Sequence, residues 1–294
     1  PAMGIQPLPM LLSLLAAAIP LSEPQPMAEE RFQQWLLESD LQQLELGCSD
    51  PLIGATGVRQ QQIRDRLLVL HPAPDSFELV VANATALLTC GSPDSAARVL
   101  NRISPAVGEE RRRWLRLRWQ AAAAGLDHRE AALALRRLVN GDLIALASLE
   151  LGDGRLGLDQ LAEHEAALGR QAEAAAVLLL APNPQRLAQA ADWLAGADAA
   201  AADQLLEQAL DQAAADQAWG LAVELLELQL SLQLAAGGDG ARPRQRLQRL
   251  AAQLDDRYSL WRLEGGDELD LGLRSPRQPG GHAAVGDSPD APSP

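Results

Sequence analysis

The spacing of apolar residues limits what this chain can fold into more than any other feature. Between Met27 and Leu263, apolar residues recur at steps of three to five, and no segment alternates with a period of two over any length. The first pattern is typical of amphipathic helices, and the missing one is typical of strands. Only 3% of the residues are aromatic. Leucine and alanine, both good helix formers, must therefore fill the core, and the chain is predicted to be all-α.

Glycine and proline divide this pattern into separate helices. Residues 29–46, EERFQQWLLESDLQQLEL, predict one first helix, which Gly47 ends. Further along, Ser92–Pro93 and Asn183–Pro184 are typical of helix starts. Serine and asparagine cap helix N-termini, and proline fits the first turn because the N–H it lacks has no partner there.

One phrase recurs along the chain: a glycine, then an alanine five residues later and a leucine nine residues later. The glycine provides the turn between two helices, the alanine lets the helices approach closely, and the leucine fills the groove between them. The phrase follows Gly91 (Ala96, Leu100), Gly169 (Ala174, Leu178) and Gly196 (Ala201, Leu205), and it follows Gly125 with one extra residue before Ala131.

This phrase resembles the tetratricopeptide repeat family, whose paired helices share a turn glycine, an early small alanine and a large residue four positions later. Ahead of Gly91, Ala84 and Leu87 match the small and large positions of the family's first helix. Gly91 and Gly125 are 34 residues apart, which is the family's repeat length, and the next two spacings are 44 and 27. Over residues 75–236 the resemblance implies an irregular α-solenoid of stacked helical hairpins.

The segment EERRRWLRLRWQAAAAG, residues 109–125, supports stacking from its own pattern. On a helix, Trp114 and Leu117 lie on one face, while Leu115 and Trp119 lie on another that is well separated from it. A helix that is apolar on two sides packs on two sides, because a single hairpin cannot cover both faces. Both tryptophans are therefore expected in the core.

Composition divides the chain into three segments. Residues 27–263 are predicted to form the α-helical repeat domain. Residues 264–294 are rich in Gly, Pro, Asp and Ser and are predicted to be a disordered acidic tail. Residues 1–26 form a leader that is either disordered or signal-like, and Met27 could be the native start. The apolar run within residues 9–22 spans about ten residues, whereas a transmembrane helix needs about twenty, and no basic residue precedes it.

Charge and cysteine content bear on partners and location. The formal net charge is −14, and every basic residue is arginine. This charge opposes general binding to nucleic acid, so no nucleic acid partner is expected, and it also opposes binding to an anionic membrane. Cys48 and Cys90 are distant in sequence and are expected to be two separate thiols, either because the compartment is reducing or because they are simply buried. The predicted location is cytoplasmic, and the alternative is export or membrane anchoring through residues 10–22.

No motif for catalysis or metal binding is found in the sequence. GxSxG, GxxxxGKS and GxGxxG are absent, and the four histidines lack ligand spacing, so surface or capping histidines are expected. GGDEL at residues 265–269 is spelled like a diguanylate cyclase signature, but it lies in the predicted tail with no α/β pattern before it. Asn83 starts a glycosylation triplet inside a predicted helix core. We expect no enzyme activity, no cofactor and no metal.

The one cluster that predicts binding is an arginine strip, defined as Arg112, Arg113 and Arg116, on the helix with the two tryptophans. An acidic peptide or a phosphate group could bind such a strip. The competing interpretation is a solvated face on which Glu109 and Arg113 pair as i and i+4.

These observations favour a non-enzymatic helical-repeat protein that binds a protein or peptide partner in its groove, as a scaffold or assembly factor. Two alternatives stay open at this point. One is an enzyme or small-ligand carrier whose site is dispersed over several helices, and the other is an exported or membrane-tethered repeat protein.

Overall fold

A computed structural model describes residues 25–152 and 154–266, and within them the chain forms fourteen α-helices, which confirms the all-α prediction. The predictions for the leader 1–26 and the tail 264–294 lie outside the described residues, apart from residues 25–26 and 264–266. The helices, α1 to α14, are Glu29–Glu38, Leu41–Ser49, Gly57–Val69, Phe77–Thr89, Pro93–Leu100, Glu109–Ala124, His128–Leu138, Gly157–Ala167, Gln171–Leu178, Pro184–Leu194, Ala199–Ala215, Trp219–Ala235, Ala241–Gln253 and Arg257–Leu263.

The connection between α7 and α8 contains the other regular structure in the described part of the chain. A 3₁₀ helix, Leu143–Ala147, precedes two short strands, β1 (Glu150–Gly152) and β2 (Arg155–Leu156), which pair antiparallel.

Helices that are adjacent in sequence pack against each other, and some alternate helices also touch. From α2 to α14 every helix contacts the next one. Beyond these pairs, α1 contacts α3, α2 contacts α4, α3 contacts α5, α4 contacts α6, and α10 contacts α12. These contacts between alternate helices bring the side chains of α10 and α12 to one surface.

The buried apolar residues form two clusters that meet at α10. The first runs from Phe32 in α1 to Ala190 in α10, and the second begins with Leu187 and Ala191 in α10 and ends at Leu247 in α13. Within residues 25–266, α10 is the helix whose buried residues belong to both clusters.

The prediction of a single first helix is wrong. The chain breaks at Ser39 and Asp40 into α1 and α2. The Asp40 carboxylate accepts a hydrogen bond from the backbone N–H of Gln43 (2.8 Å), and the Gln43 side chain accepts one from the backbone N–H of Asp40 (2.9 Å). This reciprocal capping box starts a new helix. Gly47 does not end the helix but lies buried inside α2, where an added Cβ would be 2.4 Å from the ring of Trp35.

The recurring glycine phrase is observed, but in two places the turn residue or the buried alanine and leucine lie one position later than the glycine predicts. Gly91 and Gly169 have left-handed φ angles of +66° and +78°, as a turn glycine requires. After Gly125, however, the left-handed residue is Leu126, with a φ of +59°. After Gly196, the buried pair is Ala202 and Leu206, whereas Ala201 and Leu205 are only half-buried. Counting from the left-handed residue rather than from the glycine explains the shift after Gly125, whereas no residue between 170 and 216 has a positive φ.

Helix α6 is packed on two sides, as its sequence predicted. Trp114 and Trp119 are buried, and they lie in the helix that contacts α4, α5 and α7. The indole N–H of Trp114 donates to the carbonyl oxygen of Leu100 at 2.9 Å. This bond satisfies the one polar atom of a side chain that otherwise contributes apolar contact area. Asn83 is also buried, in α4, in agreement with its predicted place in a helix core.

The expectation of two separate thiols is wrong, because Cys48 and Cys90 form a disulfide. Cys48 lies near the end of α2, and Cys90 directly follows α4, so the contact between these helices brings the two residues together. Their Cα atoms are 5.3 Å apart, within the range that a disulfide spans. The bond closes a loop across 42 positions of the sequence.

Candidate functional surfaces

The predicted arginine strip lies on the outside of α6, and two of its three members are already ion-paired. Arg112 pairs with Glu109 one turn earlier in the same helix. Arg113 donates two hydrogen bonds to Glu78 of α4, at 2.6 and 3.1 Å, and lies over the ring of Phe77. The predicted Glu109–Arg113 pair is therefore replaced by one that links two helices.

Arg116 is exposed and makes no hydrogen bond or ion pair with any described residue. Hydrogen bonding to Arg113 lowers the pKa of Glu78, and the same bond raises the pKa of Arg113. An anionic partner at this strip would bind Arg116 directly, but it would have to compete with Glu109 and Glu78 for the other two arginines.

A groove, which sequence reasoning missed, runs along α8, α10 and α12. It consists of two adjacent cavities of about 220 and 400 Å³ that share Gln185 and Gln189 of α10. The first cavity extends to Asp159 and Glu163 of α8, and the second to α12. The apolar part of the lining consists of Leu178, Ala188, Trp193, Leu221, Leu225 and Leu228.

The charged residues of this groove are mostly acidic. Glu163, Asp192 and Glu224 are exposed and have no cationic partner among the described residues. The groove's arginine, Arg186, is buried and uses its guanidinium on Asp159 (2.6 and 3.1 Å) and on the carbonyl oxygen of Ala181 (2.9 Å). The groove therefore combines apolar contact area with net negative charge.

Local structure fixes the α8–α10 end of this groove. The Asn183 side chain caps α10 by accepting a hydrogen bond from the backbone N–H of Arg186 at 2.8 Å, and Pro184 occupies the first turn. The predicted helix start at Asn183–Pro184 is thereby confirmed. Because Arg186 binds Asp159 with two of its nitrogens, the first turn of α10 is held against α8.

A second group of residues that the sequence did not reveal is the histidine cluster, defined as Trp119, His128 and His164. Surface or capping histidines were expected, but His164 is buried in α8. The Trp119 indole N–H donates to Nε2 of His164 at 3.1 Å, and the Nδ1 atoms of His128 and His164 are 3.1 Å apart. Since an indole nitrogen only donates, the proton of neutral His164 lies on Nδ1 and is donated to His128.

The surroundings of His164 favour its neutral form. Burial, together with the charge of His128, lowers the pKa of His164 to about 4, although Glu165 opposes this shift. The buried carboxylate of Glu165 is held by Arg136 at 2.8 Å and Arg170 at 3.0 Å. Burial alone would raise the pKa of Glu165, but hydrogen bonds from these two arginines lower it below the usual value. The carboxylate is thus neutralised by arginine rather than by the imidazole.

No group of three or more potential metal ligands is found among residues 25–152 and 154–266. Over the same residues, no helix has both the length and the apolar character needed to cross a membrane.

Comparison with known proteins adds no family assignment. No family model matches the chain, and no curated protein matches it significantly. The resemblance to tetratricopeptide repeats therefore stays a prediction.

Proposed function

We propose that this protein is a non-enzymatic helical-repeat protein, an irregular α-solenoid similar to tetratricopeptide repeats, that binds a protein or peptide partner as a scaffold or assembly factor. The observation that carries the proposal is the groove along α8, α10 and α12. It is open and partly apolar, which suits an extended or helical segment of another protein.

The packing of the helices supports a stacked arrangement. Contacts between alternate helices, such as α4 with α6 and α10 with α12, are those expected when hairpins form successive layers. The turns at Gly91, Leu126 and Gly169 each precede a helix with a buried alanine and leucine at offsets of five and nine residues. This regularity is what a repeated hairpin unit requires.

The chemistry of the groove suggests the character of the partner. Three exposed carboxylates without a cationic partner in the described chain, Glu163, Asp192 and Glu224, would attract arginine or lysine side chains. Leu221 and Leu228 would cover apolar side chains of the same segment. A basic, amphipathic segment satisfies both requirements.

Site-specific photo-crosslinking in the native cell tests this proposal. Benzoylphenylalanine would replace Gln189 in the groove, Arg116 in the arginine strip, or, as a control, the exposed Asp211 of α11. We expect a discrete adduct with one protein from position 189 and none from position 211. Adducts from position 116 alone would move the contact to the strip. The absence of adducts from both 189 and 116 would refute the partner-binding function.

The arginine strip remains a second proposed contact, for an acidic segment of the partner. Replacing Arg112, Arg113 and Arg116 by glutamine should lower partner affinity and reduce its dependence on salt, because an exposed charge contact weakens as ionic strength rises. If the affinity and its salt dependence are unchanged, the strip has no part in binding.

The disulfide favours an exported variant of the same function. Disulfides persist in oxidising compartments and are rare in the cytosol, so the Cys48–Cys90 bond supports the exported alternative over a cytoplasmic location. Alkylating free thiols in intact cells, before lysis and reduction, tests this point. Cysteines that react only after reduction agree with export, whereas two cysteines that react at once would place the protein in a reducing compartment.

A further inference from the structure

The cavity between α11 and α12 is separate from the groove and has a different character. Its volume is about 220 Å³, and it opens where the chain leaves α12. Its walls are mainly apolar and come from Ala195, Ala199, Ala202, Leu206, Leu232 and Ala236. A cavity of about 150 Å³ with apolar walls can hold a benzene molecule, so this one can hold a slightly larger apolar body.

One end of the cavity is polar, and a network of hydrogen bonds holds its side chains in place. Asp203 of α11 lines the cavity, and its Oδ1 accepts hydrogen bonds from Gln229 and Gln233 of α12, each at 2.8 Å. Its Oδ2 accepts a hydrogen bond from Arg242 of α13. Behind it, Glu207 accepts from Gln229 at 2.7 Å and from Arg246 at 2.8 Å. Three helices thus fix the position of the Asp203 carboxylate.

Gln229 leaves one strong acceptor without a partner. Its side chain is fully buried, and its Nε2 donates to both Asp203 and Glu207. The reverse orientation of the amide would place its oxygen against two carboxylates, so the electrostatics fix the orientation. No donor among the described residues reaches its Oε1. A buried acceptor in this state is costly unless a donor is supplied, and Gln229 lines the cavity.

The remaining polar residue of the cavity also presents an acceptor. One carboxylate oxygen of Asp239 accepts a hydrogen bond from the backbone N–H of Ala241 at 3.0 Å, which leaves the other oxygen for a ligand. Burial tends to raise the pKa of Asp203, but hydrogen bonds from Arg242, Gln233 and Gln229 outweigh it and lower the pKa. Asp203 is therefore an anion at neutral pH.

We propose that this cavity binds a small primary amine that has an apolar body of six to nine carbons, about the size that the volume allows. The apolar body lies among the alanines and leucines, and the ammonium group donates to Asp203 and to Asp239. An anion is disfavoured mainly by Asp239, which has no cationic partner among the described residues, whereas the charge of Asp203 is partly offset by Arg242. The site is independent of the proposed partner groove, since it lies on a different part of α12.

Titration of the ¹⁵N-labelled full chain with phenethylamine tests the proposal, with 2-phenylethanol and phenylacetate as the neutral and anionic counterparts of the same shape. We expect the amine to shift the amides of Ala199, Ala202 and Gly238 and to bind with a Kd of about 1 mM or lower. Phenylacetate should bind about tenfold more weakly or not at all, because it meets two carboxylates. The alcohol should lie between them.

Two variants and one control separate a built site from an adventitious one. Asp203→Asn should weaken amine binding about tenfold, whereas Asp211→Asn, on the exposed side of α11, should leave it unchanged. Ala199→Leu should block the cavity while leaving the polar network intact, and it serves if Asp203→Asn fails to fold. The proposal is overturned if the amine shifts no cavity amide at about 20 mM. It is equally overturned if all three probes bind alike, or if Asp203→Asn and Ala199→Leu both bind like the parent, which would mean an adventitious additive only.

Discussion

Lowering the pH from 7 to 5 should destabilise this protein through His164. The pKa of this histidine is about 4 in the folded chain, against the ordinary histidine pKa of 6.5 in the unfolded chain. Between pH 6.5 and pH 4, the histidine therefore binds a proton in the unfolded state but not in the folded state. The contribution of His164 to the free energy of unfolding is complete above pH 6.5. It is lost as the pH falls from 6.5 towards 4, and below that pH this group causes no further change.

The magnitude follows from the two pKa values. At pH 5 the unfolded histidine is almost fully protonated and the folded one is almost fully neutral, so the loss is about 2 kcal/mol. At pH 4 it reaches about 3 kcal/mol. The main cause is the burial of His164, and the charge of His128 adds to it. A proton on Nε2 of His164 would also face the Trp119 N–H, which cannot accept a hydrogen bond.

Urea unfolding followed by circular dichroism, at pH 7, 6, 5 and 4, measures this effect. His164→Gln removes the titrating group but keeps an acceptor for the Trp119 N–H, so its stability should fall less with pH. Carboxylates titrate in both proteins and cancel in the difference. The difference between the two profiles should change by about 2 kcal/mol between pH 7 and 5. Parallel profiles for the parent and His164→Gln would refute the reasoning.

Three further predictions concern stability and can be measured by the same urea unfolding. Asp40→Ala removes the cap of α2 and should cost about 1 kcal/mol, while Asp40→Asn, which keeps an acceptor, should cost less. Gly91→Ala forces a side chain into a left-handed turn and should cost about 1 kcal/mol. Gly196 has no positive φ and has open space around it, so Gly196→Ala should be nearly neutral. Equal costs for the two variants would contradict this assignment. Replacing both Cys48 and Cys90 by serine opens a loop of 42 positions and should cost about 3–4 kcal/mol, and an unchanged midpoint would show that the bond is not formed in solution.

The helical class of the fold could be predicted from local sequence because the information is local. Residues such as Asn183 and Pro184 act on the next turn of the chain, and the apolar faces of α6 repeat within one helix. The split between α1 and α2 was also readable, since Asp40 and Gln43 have the spacing of a capping box. The apolar pattern continues across that break, so it favours one continuous helix over the two helices that the capping box indicates.

Long-range pairs could not be predicted in this way. His128 and His164 are 36 residues apart, and each looks like an isolated surface histidine until α7 packs on α8. Cys48 and Cys90 depend equally on the contact between α2 and α4. The same holds for Asp203, whose hydrogen-bond donors come from two later helices.

The candidate groove was invisible for a further reason. Its acidic residues, Glu163, Asp192 and Glu224, lie on three different helices, and each resembles an ordinary solvated residue in its own segment. The arginine strip, by contrast, concentrates charge within one helix, and the structure ties two of its three members to neighbouring carboxylates.

The position of α10 between two apolar clusters affects how cooperatively the protein unfolds. The buried side of this helix supplies Ala190 to one cluster and Leu187 and Ala191 to the other. Cooperativity between the two halves therefore depends mainly on this helix of 11 residues, with Leu205 of α11, which packs against both clusters, as a second link. When α10 is intact, unfolding of either half exposes part of the other, and the two halves melt together. When α10 is weakened, for instance by a proline in its middle, they become separate cooperative units with separate transitions.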